Sequence, residues 1–262
     1  RLGSSFAFLP AQGTLLSNPN GRIPRNRFTG EPAFEQVDFA QQSVGYVLEH
    51  RLNGVWTVRQ HLRYGRQESD WKTVFPLGLA ADSRTLNRGA FTVDGTVDAF
   101  TVDNQAQAKF ATGRLAHTLL FGVDYLRHKS DDRLGFGAAP SLDAFSPVYG
   151  QPVATPPLFL DALQTQTQAG IYVQDHIRLD KWVFSLGGRQ DRTKSATRNR
   201  LADTETRQAD DEFTYRAGVV YLSDRGIAPY ASYTESFEPL GGTDFAGNPF
   251  KPSRGKQYEA GV

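Results

Sequence analysis

The sequence of 262 residues contains no cysteine. Disulfides, cysteine–zinc sites and thiol nucleophiles are therefore excluded. No run of 18 apolar residues occurs, so the chain has no transmembrane helix. The 29 Lys+Arg and 28 Asp+Glu residues nearly cancel, and no basic run is interleaved with aromatic residues. Neither the net charge nor its distribution predicts a nucleic-acid partner.

Motifs for catalysis, nucleotides and metals are also missing. None of the five histidines belongs to an H-E-x-x-H pattern. The 25 glycines form no G-x-x-x-x-G-K-[ST] loop, no strand-to-helix G-x-G-x-x-G turn and no G-x-S-x-G elbow. We therefore predict no enzyme activity, no metal site and no cofactor.

A hairpin at residues 168–191 shows what the sequence does contain. Ile171 and Val173 alternate with Tyr172 and Gln174, and after the turn at Asp180-Lys181 the alternation resumes. Side chains alternate across a strand, so this pattern predicts one apolar face and one polar face. Because the polar face is too wet for a packed core, the apolar face is the buried one.

The same pattern recurs along the chain. Asn53-Gly54, a strong hairpin signal, joins two alternating segments, and Trp56 follows the turn just as Trp182 follows its own. We predict about ten strands of ten to fifteen residues, longer than is usual in soluble sheets. Short turns alternate with long loops, which we place at residues 1–40, 67–82, 130–164, 193–211 and 239–253.

Strands near ten residues, loops that are long at one end only, and aromatic residues at the rims are together typical of an outer-membrane β-barrel. The chain opens without Met and stops inside an apparent strand, so we expect an internal fragment of a larger barrel, with no plug and no C-terminal strands. The polar face should line a lumen or meet a polar plug. Its predicted members are Arg59, Gln105, Gln107, Asp124, Gln174, Arg189 and Arg216.

Several runs resemble one known family. They are FLPAQGTLLSNPNGRIP (residues 8–24), VDNQAQAKFATG (102–113), HTLLFGVDY (117–125), YVQDHIRLDKW (172–182), SLGGRQD (185–191), APYASYTESFEP (228–239) and GNPFKPSRGKQYEAGV (247–262). These runs are similar to TonB-dependent siderophore receptors, and most of all to the ferrichrome/hydroxamate branch.

The resemblance implies a 22-strand barrel in the bacterial outer membrane, closed by an N-terminal plug, and residues 1–262 would cover about ten middle strands. It implies a receptor that imports a ferric siderophore of hydroxamate type. The TonB–ExbB–ExbD complex would supply the energy through the missing plug. The siderophore would carry the iron, so the protein needs no ligands for it. Lipid and lipopolysaccharide would surround the barrel.

The resemblance also implies a ligand site made of aromatic residues at the mouth of the barrel. Phe6 and Phe8 stand just before an L-P-x-x-G-T motif. Phe75 and Leu77 match a second aromatic pair, of which one member is lost here. Phe136, after the G-V-D-Y strand, matches a further aromatic. The cysteines found in a loop of that branch are absent from this chain.

Three other interpretations remain open on the residues alone. A passive porin-type channel would alternate in the same way but would lack a plug. An outer-membrane enzyme would need a nucleophile and a base that face one another. A soluble carbohydrate-binding β-sandwich would need shorter strands and a drier inner face.

Overall fold

The computed structural model describes residues 8–242, 244–245 and 248–262. In these residues, nine antiparallel strands form one sheet, and each strand pairs with its neighbours in sequence. The strands are β1 (Gln36–Arg51), β2 (Trp56–Leu79), β3 (Thr85–Thr112), β4 (Leu115–Asp143), β5 (Leu158–Leu179), β6 (Trp182–Asn199), β7 (Thr204–Tyr221), β8 (Tyr230–Glu238) and β9 (Ser253–Gly261). The described residues contain no helix that is long and apolar enough to cross a membrane.

Tight turns join the strands at one end of the sheet, which we call the turn end. The side-chain oxygen of Asn53 accepts hydrogen bonds from the N–H groups of Val55 and Trp56, each at 2.9 Å. Asp180 has a φ of 52°, a left-handed conformation that Asp tolerates better than most residues. The turns predicted at Asn53-Gly54 and Asp180-Lys181 are therefore present, and short polar side chains close them.

The other end, which we call the open end, differs from the prediction. Three of the predicted loops are mainly strand, because β2 and β3 leave only residues 80–84 between them, and β6 and β7 leave only 200–203. The third loop shrinks to residues 144–157. Apolar/polar alternation fades in these extensions, yet backbone pairing continues from strand to strand. Hydrogen bonding by the backbone does not depend on which side chains alternate.

The described residues form nine strands, close to the predicted number of about ten. Two predicted strands, at about residues 84–93 and 100–110, are parts of the single strand β3, which has 28 residues. The polar stretch between them continues the pairing, since Asp94 lies opposite Asp70 on β2 and opposite Arg133 on β4. Neighbours on both sides hold this stretch extended although its side chains give no strand signal.

The pairing register fixes two faces of the sheet. The apolar face carries Trp56, Phe121, Val173 and Trp182, and the polar face carries Arg189 and its neighbours. Aromatic residues form two belts on the apolar face. Trp182 contacts Phe184 and Tyr221 near the turn end, with ring centroids 6.2 and 4.8 Å apart.

The second belt includes Tyr64, Phe100 and Tyr125, of which the last two have ring centroids 6.4 Å apart. On β2, Trp56 and Tyr64 are eight residues apart (64 minus 56), roughly 26 Å along the strand. This spacing is close to the apolar band of about 25 Å that outer-membrane barrels present to lipid.

The only group of large, fully buried apolar side chains that the described residues form lies at the open end. Val74, Leu86 and Leu142 belong to the strands, and Ile23 belongs to the segment of residues 8–35, which we call the anchored segment. Leu86 pairs with Leu142 across β3 and β4. The anchored segment thus covers the continuation of the apolar face beyond the second belt.

Candidate functional site

An aromatic cluster occupies the polar-face side of the sheet at the open end. Phe75 on β2 and Phe136 on β4 have ring centroids 6.1 Å apart, although β3 separates their strands. Between them, Gly89 of β3 leaves the space that both side chains need. A Cβ atom at Gly89 would lie 2.9 Å from the Phe136 ring and 3.5 Å from Leu77 Cδ1. The structure therefore brings Phe75, Leu77 and Phe136 together around one glycine.

Three more aromatic residues extend this cluster, and the sequence did not assign them to it. The Phe91 ring lies 6.1 Å from Trp71 and 6.2 Å from Phe159. Phe91 stands two residues after Gly89 on the same side of β3, directly opposite Phe136. A period-two reading of β3 would have found it, but alternation near residues 84–93 is weak. We call Trp71, Phe75, Phe91, Phe136 and Phe159 the aromatic cluster.

The other two predicted ligand residues lie on the N-terminal side. Phe6 lies outside the described residues. Phe8 is more than half exposed, and its carbonyl oxygen accepts a hydrogen bond of 3.3 Å from the hydroxyl of Thr29. Thr29 itself is buried. Phe8 therefore belongs to the anchored segment, one hydrogen bond away from the part of it that packs on the strands.

All seven residues of the predicted polar wall lie on the polar face by register. Arg59 pairs directly with Gln105, which lies opposite Gly122. Gln174 pairs with Gly187, which lies opposite Arg216. Arg59 Nε lies 2.5 Å from Glu49 Oε2, and Gln105 donates to Asp103 at 2.7 Å. The wall runs across β2 to β7 and satisfies much of its own charge.

An ion-pair network forms the middle of this wall. Arg189 donates to both oxygens of Asp124, at 2.5 and 2.9 Å, and to both oxygens of Asp191, at 2.6 Å each. Gln168 donates to Asp191 at 2.8 Å, and the Arg189 guanidinium lies 5.6 Å from the centre of the Tyr172 ring. One cation thus holds two carboxylates that would otherwise repel each other.

Two glycines make room for this network. A Cβ atom at Gly170 would lie 2.1 Å from Arg189 Nη2, and one at Gly122 would lie 2.1 Å from the Tyr172 ring. Real Cβ atoms do not approach so closely, so larger residues at these two positions would displace Tyr172 or Arg189.

The open end offers an apolar contact surface beside polar groups. The aromatic cluster supplies apolar contact area with few rotatable bonds, and the polar wall begins below it on the same face. In the part of the chain that the structure describes, no three His, Cys, Asp or Glu side chains group closely enough to hold a metal ion. This arrangement fits a compact ligand that brings its own polar groups.

Comparison with known families decides what kind of barrel contains this sheet. Residues 1–262 match the family of the TonB-dependent receptor-like β-barrel. The chain belongs to this family. The predicted fold class, an antiparallel transmembrane β-barrel of which this chain is a fragment, is confirmed. Such barrels lie in the bacterial outer membrane. Outer-membrane barrels have short turns on the periplasmic side, longer loops outside and an apolar outer band towards the bilayer, so the turn end corresponds to the periplasmic side and the open end to the extracellular side.

Two relatives are similar to this chain over nearly its whole length. The chain is 36% identical to the ferrioxamine B receptor of Salmonella typhimurium (strain SL1344) over 260 residues, which are 99% of this chain and 37% of the relative. It is also 36% identical to the ferrichrome outer membrane transporter/phage receptor of Escherichia coli (strain K12) over 284 residues, which cover 98% of this chain and 38% of the relative. The chain thus spans little more than a third of these relatives.

A solved structure supports the fold. The closed form of the ferric-catecholate import receptor Fiu from Escherichia coli K12 superposes with a TM-score of 0.80, over 92% of this chain and 40% of that one. Sequence identity is 18%, so this likeness concerns the fold alone. The family consists of receptors and transporters, which leaves the porin and β-sandwich interpretations without support.

Proposed function

We propose that this chain is the middle of the barrel of an outer-membrane receptor that imports ferric siderophores with energy from the TonB system. The aromatic cluster on the polar-face side of the extracellular end carries the proposal. The named relatives bind ferrioxamine and ferrichrome, which favours siderophores of the hydroxamate type.

The physical chemistry of the cluster suits such a ligand. A ferric hydroxamate is compact, with apolar patches and a shell of oxygens. Rigid aromatic walls bind the apolar patches at low entropic cost, and a few polar groups orient the complex. The siderophore chelates the iron, which arrives as cargo. The receptor therefore needs no cofactor, no metal ligands and no catalytic residues.

The polar wall is the surface on which a second partner, an N-terminal plug, would pack. We propose that Arg59, Gln105, Arg189 and Arg216 face the lumen, where an N-terminal plug would pack against them. The plug would contact the TonB–ExbB–ExbD complex. In whole cells, uptake of ferrichrome or ferrioxamine B should stop when this complex is inactivated, while surface binding continues. Uptake without the complex would instead indicate a passive channel.

The surrounding membrane is the third partner. Above the second belt, the lipid-facing side of the sheet becomes charged, and Arg66, Asp98, Lys129 and Arg133 line one cleft there. We propose that the phosphates of lipopolysaccharide lie against these cations. Reversing the charge of Lys129 and Arg133 should reduce the lipopolysaccharide that copurifies with the receptor. An unchanged amount would contradict this contact.

The ligand site is tested by removing its rings from the intact receptor. Phe75→Ala, Phe136→Ala and Phe8→Ala should each weaken binding of ferrichrome or ferrioxamine B by about tenfold, the effect of losing a typical aromatic anchor. Phe6→Ala extends the series. The matched control is Phe121→Ala on the lipid-facing side. Heat-modifiable mobility on gels shows whether each barrel is folded.

The proposal fails if every folded Phe variant binds both siderophores as the native receptor does. A loss that Phe121→Ala reproduces would also count against it, because that residue faces lipid and cannot touch the ligand.

A further inference from the structure

Arg88 is a buried cation on β3, and neither the barrel nor the aromatic cluster explains its position. Its side chain is 0% exposed. Nε donates to the carbonyl of Pro140 at 2.7 Å, and Nη1 donates to the carbonyls of Gly30 at 2.7 Å and Thr29 at 3.4 Å. Nη2 lies 3.2 Å from Glu31 Oε2. The guanidinium thus joins β3, the end of β4 and the anchored segment.

Glu31 extends this junction to a further part of the open end. Its side chain is also 0% exposed, and its second oxygen accepts a hydrogen bond of 2.7 Å from the N–H of Gly150. Gly150 lies between β4 and β5. The pair therefore fastens the anchored segment to both sides of the extracellular end, through one cation and one anion.

Burying two charges is costly, and apolar residues of similar size often give a more stable protein. The role of this buried pair is therefore better explained by the positions of the groups that it binds than by a gain in stability. The planar guanidinium offers donors in fixed directions, which a methylene chain or an ammonium cannot reproduce. The carbonyls of Thr29, Gly30 and Pro140 are bound at defined positions as a result.

A short series of contacts links this junction to both halves of the proposed ligand site. On one side, Thr29 connects Arg88 to the carbonyl of Phe8. On the other side, the residue after Arg88 is Gly89. The Phe136 ring lies against Gly89 on the polar face of the sheet, whereas the Arg88 side chain lies on the other face. Arg88 therefore stands between the segment that carries Phe8 and the strand that carries the aromatic cluster.

We infer that Arg88 is a positioning residue for the siderophore site: with Glu31, it holds the anchored segment at a fixed place relative to the aromatic cluster, and that placement sets the affinity. This inference rests on the proposed function. Arg88 does not touch the ligand, and its effect passes through the backbone of residues 29–31.

The first test compares variants of the full-length receptor. Arg88→Met should weaken binding of ferrichrome or ferrioxamine B at least tenfold and accelerate amide hydrogen exchange in residues 8–35. Arg88→Lys keeps the charge but not the planar fork and should recover only part of the affinity. Glu31→Gln should resemble Arg88→Met in direction. Arg207→Met, which removes an exposed arginine that pairs with Glu205, is the matched control.

A crosslink separates positioning from a general loss of structure. Asn20 Nδ2 lies 2.9 Å from the carbonyl of Asp82, so these two residues join the anchored segment to the β2–β3 turn. Ser83, the next residue, is also bonded to the anchored segment, since its carbonyl accepts a hydrogen bond of 2.7 Å from Asn18 Nδ2. In a receptor whose only cysteines replace Asn20 and Ser83, a bismaleimide bridge should restore most of the affinity that Arg88→Met loses. A merely destabilised barrel would not regain affinity from a link so far from the mutated side chain.

Each outcome bears on the inference. Unchanged affinity in Arg88→Met, or unchanged exchange in residues 8–35, would overturn it, and so would a loss that the crosslink does not repair. If Arg88→Met fails to fold, Arg88→Lys and Glu31→Gln decide by the same two measurements. If Phe75→Ala and Phe136→Ala bind normally while Arg88→Met does not, the aromatic cluster is not the ligand site, and the placement of the anchored segment relative to that cluster is overturned with it.

Discussion

Apolar side chains on the lipid-facing surface of the sheet have different surroundings in the membrane band and at the open end. In the membrane band, Val173 is 47% exposed in the isolated chain, on the face that outer-membrane barrels present to the bilayer. At the open end, Leu86 on the continuation of that surface is 0% exposed, and the anchored segment is hydrogen-bonded to residues on either side of it, at Asp82 and Arg88. Lipid accepts any apolar side chain, whereas a protein partner must match shape and hydrogen bonds.

This difference explains the distribution of charge. In the band, apolar side chains suffice, and the partly buried ion pairs around Arg189 lie on the polar face. At the open end, the anchored segment has little regular structure, and its backbone carbonyls need donors once they are buried. Arg88 supplies donors to three carbonyls. A cation on the apolar side of a strand is thus a sign that protein, and not lipid, covers that position.

The largest effect should come from a cavity at the open end. Leu86→Ala should destabilise the packing of residues 8–35 by about 2–5 kcal/mol, because the cavity is closed on all sides. Leu186→Ala, on the lipid-facing surface, should cost much less, since a lipid chain refills the space. Native-state hydrogen exchange gives both free energies. Equal costs would mean that the two regions are not buried differently.

A charge in the band should have the next largest effect. Val173→Arg places a cation against lipid and should cost about 2–4 kcal/mol near the middle of the bilayer. Gln174→Arg, one residue away on the polar face, should cost little. Urea unfolding of the receptor in lipid vesicles measures both. A comparable loss at Gln174 would mean that the two faces are not as distinct as the register indicates.

The smallest effect concerns the pH dependence of the β2–β3 turn. The hydroxyl of Thr85 and the N–H groups of Arg84 and Thr85 bind the carboxylate of Asp82 and lower its pKa from 3.8 to about 2. A lowered pKa means that this contribution is complete above the unfolded value and disappears as the pH falls towards 2. The protection of residues 80–84 against hydrogen exchange, taken relative to the intrinsic rate at each pH, should therefore fall below pH 4 in the native chain.

Asp82→Asn should make that exchange fast already at neutral pH and should flatten its dependence on acid. A variant that retains the native acid response would show that another group is responsible.

Much of the fold could be predicted because its elements repeat a local pattern. Alternation at residues 168–179 and the turn at Asp180-Lys181 specify a strand, its two faces and its hairpin partner. Backbone extension beyond the pattern was missed, since the polar residues 94–99 are held in β3 by neighbours on both sides. The sequence could not reveal this, because the predicted lengths of the neighbouring strands β2 and β4 were too short as well.

The sequence by itself determined which residues face lipid and which face the lumen side, because lipid selects only for polarity and a strand has a period of two. It also placed Phe75 and Phe136 at the same end. Only the tertiary structure decided that their rings meet around Gly89, that Phe91 joins them, and that Arg88 is buried under the anchored segment. These contacts join residues as many as 68 positions apart along the chain (159 minus 91), and their formation depends on register, bulges and shape, which no local pattern encodes.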